Sequence, residues 1–158
     1  MKRRGFTLIE LLVTIAVMVI LATVAVPSFQ RQMASNRIVA DYNELLGGLT
    51  LARSEAIKRR TEVTFSLTGT SLWGYNISVD GVDESIRIRS GRDKSISLTD
   101  TLTDDSITFG ALGKPLSDDN CPEACRITLI STYDGIDDRA LEVSAQGRVG
   151  KWEDDEDE

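Results

Sequence analysis

Hydrophobic residues dominate the first part of the chain and become periodic further along. Between Phe6 and Val26 the only charged residue is Glu10. At about 1.5 Å per residue, a helix over this segment would be about 31 Å long, which matches a bilayer core of roughly 30 Å. The pattern therefore predicts a membrane-spanning helix.

The helical pattern continues beyond Pro27, which we expect to bend the helix without ending it. Up to about Arg60, apolar residues recur at spacings of four and three and form one stripe: Ile38, Tyr42, Leu45, Leu49, Ala52 and Ala56. Such a stripe is the face that an amphipathic helix packs on a protein core. The sequence thus predicts one long helix whose second half lies on a sheet.

After Arg60 the hydrophobic period changes to two, which is typical of β-strands. Alternation runs from Val63 to Leu67 and again from Trp73 to Val79. Asp80-Gly81 then predicts a hairpin turn, with a returning strand through Ile86 and Ile88. Shorter strand-like runs follow at 96–98, 106–109, 127–131 and 140–145. The predicted fold class is α+β, with a long N-terminal α-helix packed on an antiparallel β-sheet in one globular domain.

The composition argues against an enzyme. A chain of 158 residues suits one compact domain with appendages. Histidine is absent, which removes the most common general base at neutral pH and the commonest zinc ligand. The formal net charge of -7 disfavours nonspecific binding of the whole chain to phosphate backbones or anionic lipids. We expect no catalytic residue, no cofactor and no metal.

Charges around the apolar segment predict its orientation. Residues 2–4 are Lys-Arg-Arg, and a positive flank stays cytoplasmic, which places the residues after Pro27 on the far side of the inner membrane. A secretory signal cut near residues 23–25 and an unprocessed single-pass anchor are alternatives. Neither explains Glu10, because a carboxylate inside an apolar span costs about 2.5 to 3.5 kcal/mol and needs a partner.

The segment Lys-Arg-Arg-Gly5-Phe6-Thr-Leu-Ile-Glu10-Leu-Leu resembles the class III signal of type IV pilins and type II secretion pseudopilins. The resemblance implies that a prepilin peptidase cleaves between Gly5 and Phe6, that the new Phe6 amine is N-methylated, and that the apolar helix is retained as an assembly stem. Glu10 stands where the family has an acidic residue that meets the terminal amine of a neighbouring subunit. A paired carboxylate and amine would make both charges tolerable in a low-dielectric filament core.

A second resemblance covers most of the chain. The run 51–59, Leu-Ala-Arg-Ser-Glu-Ala-Ile-Lys-Arg, resembles the end of the stem helix in GspH/FimT minor pilins and pseudopilins, as do Ile107-Thr108-Phe109 and the run 143–148. The resemblance implies a minor pilin of the FimT/FimU kind, at or near the tip of a type IV pilus, that primes assembly. The alternative is the H-type minor pseudopilin of a type II secretion system. Expected partners are other major and minor pilins or pseudopilins, the prepilin peptidase and the inner-membrane assembly platform.

The expected organisation follows from both resemblances. Residues 1–5 form a leader peptide, 6–29 the membrane-spanning and assembly half of the helix, 30–152 a periplasmic pilin-like domain, and 153–158 an acidic tail. The protein would be a single-pass protein of the bacterial inner membrane before it enters a pilus or pseudopilus.

Two further features carry separate predictions. An even pair of cysteines in an exported protein predicts a disulfide between Cys121 and Cys125, with free thiols or half a metal site as alternatives. Some FimT-like proteins are associated with DNA uptake through a Gly-Arg-x-Arg pattern, and this resemblance leaves a DNA-binding minor pilin for natural transformation as a third alternative. The match is incomplete here, because Gly147-Arg148-Val149 is followed by Gly150 and then by the acidic tail, which would repel phosphate.

Other charged groups have a simpler explanation. The carboxylate-rich loops 80–84 and 134–138 are explained by turn chemistry as well as by calcium binding. The remaining basic residues near 53–60 and 87–94 are predicted to be solvated or to complement the helix dipole.

Overall fold

The structure, a computed structural model, describes residues 6–69, 72–83, 85–116 and 124–152. Its first element is a 52-residue helix, α1, from Leu8 to Arg59. Pro27 lies inside α1 without ending it. The helix ends at Arg60, which takes the left-handed conformation with φ 54° and whose backbone N–H donates to the Ala56 carbonyl. At about 1.5 Å per residue, α1 is about 78 Å long. The rest of the described chain buries residues of its second half only, from Ala34 onwards.

The strands after α1 form two antiparallel sheets rather than one. The first sheet has the order β3-β2-β1-β5 and the second the order β4-β6-β7-β8. The strands are β1 Val63–Thr68, β2 Gly74–Val79, β3 Ser85–Ser90, β4 Ile96–Asp100, β5 Ser106–Phe109, β6 Ala124–Ser131, β7 Arg139–Ser144 and β8 Val149–Lys151. A short 3-10 helix, Thr103–Asp105, connects β4 to β5. The predicted fold class, a long helix on antiparallel strands, is confirmed.

Both sheets pack on the second half of α1 and share one hydrophobic core. Every residue of the predicted helical stripe, from Ile38 to Ala56, is buried. The sheets contribute fully buried side chains from β1, β2, β5, β6 and β7: Phe65, Tyr75, Ile77, Ile107, Phe109, Ile127, Leu129, Leu141 and Val143. Burying a large apolar side chain contributes roughly 1.5 to 3 kcal/mol. The second half of α1 is therefore fixed by tertiary packing, and the first half is not.

Gly48 lets α1 approach the first sheet closely. A Cβ at this position would lie 2.7 Å from the Tyr75 ring, which is itself fully buried and stacked on Phe65 with ring centroids 4.9 Å apart. A larger residue would push the helix away from β2. Gly48 thus sets the distance between the helix and the sheet at the level of Tyr75.

Candidate functional site

The first half of α1 is not covered by any other described part of the chain. Large apolar side chains are exposed along Phe6–Phe29, which we call the stem. An 18-residue window has a mean hydropathy of 2.7 with 0% of it buried, so by length and composition the helix is able to cross a membrane. Soluble monomers rarely expose contiguous apolar patches larger than a few hundred Å². The stem therefore requires a membrane or other helices around it.

Two of the residues predicted to function in processing and assembly lie at the free end of the stem. The Thr7 hydroxyl accepts a hydrogen bond from the Glu10 backbone N–H at 3.3 Å and caps α1. Phe6 precedes this cap and is exposed, whereas Gly5 lies outside the described residues. Among the described residues the Glu10 carboxylate forms no ion pair. Glu10 is thus a charged group on an apolar rod, available to a partner from another chain.

The opposite end of α1 is held by a buried carboxylate. Glu55 is 9% exposed and accepts hydrogen bonds from Arg59 Nε at 2.6 Å and from Lys58 Nζ at 3.1 Å. These bonds, that from Arg59 above all, hold the pKa of Glu55 below its ordinary value. Cations in the last turn also complement the negative end of the helix dipole. The run 51–59 therefore closes the helix with an internal ion-pair cluster.

The same run fixes two loops of the head. Arg53 Nε donates a hydrogen bond of 3.1 Å to the Gly113 carbonyl, and the Ile57 side chain lies against Gly113. Gly147, with φ 81°, sits over the Gly113 carbonyl so closely that a Cβ would be 2.0 Å from the carbonyl oxygen. The turn at 144–148 and the loop at 110–116 are thus stacked on the end of α1. This stacking brings together two segments on which the resemblance to GspH/FimT proteins rests, 51–59 and 143–148, with the loop that follows the third, Ile107-Thr108-Phe109.

A second polar cluster joins the middle of α1 to the first sheet. The Glu44 carboxylate accepts hydrogen bonds from the Tyr75 hydroxyl at 2.7 Å and from Arg87 at 2.8 Å, and it lies 3.3 Å from Arg89 Nε. The hydrogen bond from Tyr75 and the two arginines lower the pKa of Glu44. Burial and the neighbouring Glu44 charge raise the pKa of Tyr75. The cluster fixes β2 and β3 against the helix.

One and two turns earlier on α1, two more contacts continue this junction. Trp73 Nε1 donates a hydrogen bond of 3.0 Å to Asp41, and Arg37 is ion-paired with Asp93. Desolvation raises the pKa of Asp41, whereas hydrogen bonds from Ser95 lower that of Asp93. This side of α1 is therefore bound to the loops beside β2 and β3 through charges and hydrogen bonds.

The sequence predicts solvated arginines on β3; Arg89 is indeed exposed, whereas Arg87 is partly buried, and both lie beside the Glu44 carboxylate. They stand opposite Ile77 and Tyr75 in the β2–β3 register, so they share the face that meets α1. Their alternation with Ile86 and Ile88 was a usable signal, because residues two apart on a strand share one face. The partner Glu44 has no such signal, since it lies on another element.

Of the two cysteines that are predicted to form a disulfide, the described residues include only Cys125. Cys125 lies on β6 opposite Val143 and is 1% exposed. Cys121 lies outside the described residues, so the disulfide remains a prediction.

The incomplete Gly-Arg-x-Arg pattern forms the turn between β7 and β8. The backbone N–H of Arg148 donates to Ser144 Oγ at 3.1 Å, and the Arg148 side chain is exposed. The acidic run 153–158 lies outside the described residues. This part of the molecule therefore offers an exposed arginine on a tight turn.

Comparison with known proteins gives two matching family models. Residues 41–147 match the model described as Type II transport protein GspH. Residues 1–26 match the Prokaryotic N-terminal methylation motif. The first match covers most of the packed half of α1 and the strands β1 to β7, and the second covers the segment that begins with Met1 and includes most of the stem.

Individual relatives agree with these models. The chain is 30% identical over 135 residues to the Type IV major alpha-pilin of Moraxella bovis, covering 85% of this chain and 82% of the relative. It is 29% identical over 134 residues to a fimbrial protein of Pseudomonas aeruginosa, with the same coverage of both chains. The fold is similar to the crystal structure of the type IV minor pilin FimU of P. aeruginosa strain PAO1, with a TM-score of 0.64, 21% identity, and coverage of 75% of this chain and 90% of the other.

Proposed function

The chain belongs to the GspH family of type IV pilin-like proteins, and we propose that it is a minor pilin at or near the tip of a type IV pilus that primes pilus assembly. At the coarser level, the protein is a non-enzymatic structural subunit, a pilin or pseudopilin, that assembles with other pilins into a filament. The stem and the methylation motif fit anchoring in the inner membrane before assembly. The head would then lie in the periplasm, on the side opposite to the positive residues 2–4.

The main observation behind this proposal is the uncovered stem that carries one unpaired carboxylate. A membrane would satisfy the apolar surface of the stem but not Glu10, whose insertion costs about 2.5 to 3.5 kcal/mol. A bundle of pilin stems would satisfy both. Cleavage after Gly5 creates a positive amine at Phe6, and this amine would pair with the carboxylate at the Glu10 position of a neighbouring subunit. We therefore assign cleavage and N-methylation to Phe6, and the assembly contact to Glu10.

The choice of a type IV pilus is supported by the relatives. The two relatives described above are named as a pilin and a fimbrial protein, and each covers most of the chain. One observation favours the second candidate, an H-type minor pseudopilin of a type II secretion system, because the matching family model is described by type II transport. Both candidates use the same stem, the same processing site and the same head.

A clean deletion separates the two candidates. Sheared surface pili and twitching motility are scored in parallel with the activity of type II secreted enzymes in the medium. Loss of pili with secretion intact is the result expected for a minor pilin. Loss of secretion with pili intact would replace that proposal with the pseudopilin.

A tip position has its own measurement. Quantitative immunoblotting of sheared filaments should give one or a few copies of this chain per filament, and gold labelling should fall on filament ends. Label distributed along the whole filament would contradict a tip location. A tagged chain that complements the deletion provides the control for the label.

Processing is tested at Gly5. A bulky residue such as Leu at this position should stop cleavage, because the peptidase needs close access to the backbone there. The mature chain of the wild type should begin with N-methylated Phe6 by mass spectrometry. A Gly5→Leu chain that begins at Phe6 would contradict the assigned site.

A further inference from the structure

A groove of about 630 Å³ lies where the stem meets the head. One wall is α1 from Val24 to Ile38, and the other is the segment from Gly135 to Arg139 that leads into β7. We call it the neck groove. It begins two residues before Val26, where the apolar span ends, and it continues along α1 for about 21 Å at roughly 1.5 Å per residue. If the stem spans the bilayer, the neck groove lies at the level of the lipid headgroups and just outside them.

The neck groove combines apolar and charged groups. Val24, Ile38 and Ile136 give it apolar surface, and Arg31 and Arg139 place one guanidinium on each wall. Neither arginine forms an ion pair within the described ranges. Arg139 is held over the Tyr42 ring, with its Cζ atom 5.9 Å from the ring centroid. An occupant therefore needs an apolar part and an anionic group that two arginines can approach from opposite sides.

The carboxylate of the groove restricts the occupant further. Asp137 lies on the same wall as Arg139 and likewise forms no ion pair among the described residues. A carboxylate at this place attracts an ammonium group and repels additional negative charge. The charges thus match a zwitterion with a phosphate and an amine better than they match an anion.

We propose that the neck groove binds the headgroup of a zwitterionic phospholipid of the phosphoethanolamine type. Arg31 and Arg139 contact the phosphodiester, Asp137 faces the ammonium, and the acyl chains leave along Val24 into the bilayer. The contact fixes the height and rotation of the head above the membrane before the subunit enters a filament. It rests on membrane anchoring of the stem and not on the kind of filament that the chain joins.

Native mass spectrometry of the full chain in detergent micelles tests the proposal. Micelles contain dioleoylphosphatidylethanolamine, dioleoylphosphatidylglycerol or dioleoylglycerol. We expect one retained phosphatidylethanolamine per chain and weaker retention of the other two lipids. Arg31→Gln and Arg139→Gln should each lower this retention about fivefold, the order expected for one arginine beside a headgroup. Arg92→Gln, which removes an exposed arginine from another part of the head, is the matched control and should have no effect.

Several outcomes would overturn the proposal. Equal retention by wild type, Arg31→Gln and a folded Arg139→Gln would show that the groove does not bind the lipid. Phosphatidylglycerol retained as strongly as phosphatidylethanolamine would contradict the role of Asp137. If the full chain holds no lipid but a chain shortened to residues 1–152 does, the acidic tail occupies the groove in the full chain. If the chain is a dimer without lipid, a second copy occupies the groove.

The controls separate lipid loss from misfolding. Arg31 is exposed on α1, so its replacement should leave the circular dichroism and the thermal midpoint unchanged. Arg139 contacts Tyr42, and Arg139→Lys keeps the charge if the glutamine variant unfolds. Pilus assembly and secretion are scored independently, so failure of lipid binding leaves the proposed function untouched.

Discussion

The Tyr75 hydroxyl donates a 2.7 Å hydrogen bond to Glu44, and this contact joins the centre of α1 to the centre of the first sheet. Tyr75 is fully buried beneath Phe65 and beside Gly48. A tyrosine can be buried at this depth only if its hydroxyl finds a partner. Glu44 provides that partner and at the same time balances the two arginines of β3. The contact therefore links core packing to the charges on the side of the head.

Tyr75→Phe should lower the free energy of unfolding by about 1 kcal/mol, the usual net value of one hydrogen bond. The loss stays modest because Arg87 continues to satisfy Glu44 and because the Glu44 side chain is 34% exposed, so water replaces part of the contact. Glu44→Ala should cost more, since it leaves Tyr75 and Arg87 without their acceptor. Thermal unfolding of the full chain in detergent, followed by near-ultraviolet circular dichroism, measures both.

The control for this prediction is Thr50→Ala, on the exposed face of α1. It should change the thermal midpoint little. Equal midpoints for wild type, Tyr75→Phe and Glu44→Ala would show that the cluster does not stabilise the head.

Most of the helix and strand pattern follows from the sequence because burial imposes a period. The stripe from Ile38 to Ala56 keeps the helical period, and β1 and β2 alternate strictly. β8 was not predicted because Val149–Lys151 is too short to show any period. The division into two sheets could not be predicted either, since pairing partners depend on the path of the chain between strands.

The residues of the candidate site also fall into those that the sequence indicates and those that it does not. Glu10 stands out in the sequence because a lone carboxylate in an apolar run is costly, whereas Phe6 was identified through the resemblance of its segment to the class III signal. The Glu44 cluster and the neck groove do not stand out, because they join residues of α1 to residues far along the chain. No local pattern encodes which charges meet when a helix and two sheets pack together.

The stability of the fold should decrease at acid pH because three carboxylates become protonated. The pKa values of Glu44, Glu55 and Asp93 are lowered by their hydrogen bonds and cations. Their stabilisation is fully present above the unfolded values, which are 4.5 for glutamate and 3.8 for aspartate. It is lost as the pH falls below them towards the lowered folded values, because the unfolded chain binds protons first. Asp41 acts in the opposite sense, since burial raises its pKa.

The measurement is the thermal midpoint of the full chain as a function of pH. It should stay level between about pH 5 and pH 7 and decrease below about pH 4.5. The double variant Glu44→Gln, Glu55→Gln should start lower and lose less in the acid range. An acid decrease as large as that of the wild type would assign the effect to other groups.

The predicted disulfide between Cys121 and Cys125 should contribute little to global stability. Their ring is short, and the entropy that a cross-link removes from the unfolded chain grows with loop length. The intact mass of exported protein should be lower by two hydrogens than that of the reduced form. Cys121→Ala should leave the thermal midpoint nearly unchanged, whereas Cys125→Ala should lower it because Cys125 is a core residue on β6. Two thiols that react with an alkylating agent in exported, unreduced protein would refute the bond.

If Glu10 makes the proposed assembly contact, membrane insertion and filament assembly make opposite demands on it. Replacing it by Val removes a charge that is costly in the bilayer, so insertion should be unchanged or improved. The same change leaves the amine of a neighbouring Phe6 without its carboxylate in the filament core. An unpaired buried charge costs several kcal/mol, so incorporation into filaments should be lost while the membrane pool stays at or above the wild-type level.

Fractionation of membranes and sheared filaments by quantitative immunoblotting checks both halves of this prediction. Glu10→Asp is the matched variant, since it keeps the charge and shortens its reach, and it should retain partial incorporation. Thr14→Val provides a control one turn along the stem, where the hydroxyl bonds only to the Leu11 carbonyl, and it should assemble normally. If the Glu10→Val chain enters filaments as well as the wild type, the carboxylate has no partner there, and the cost of keeping it in the membrane would need another explanation.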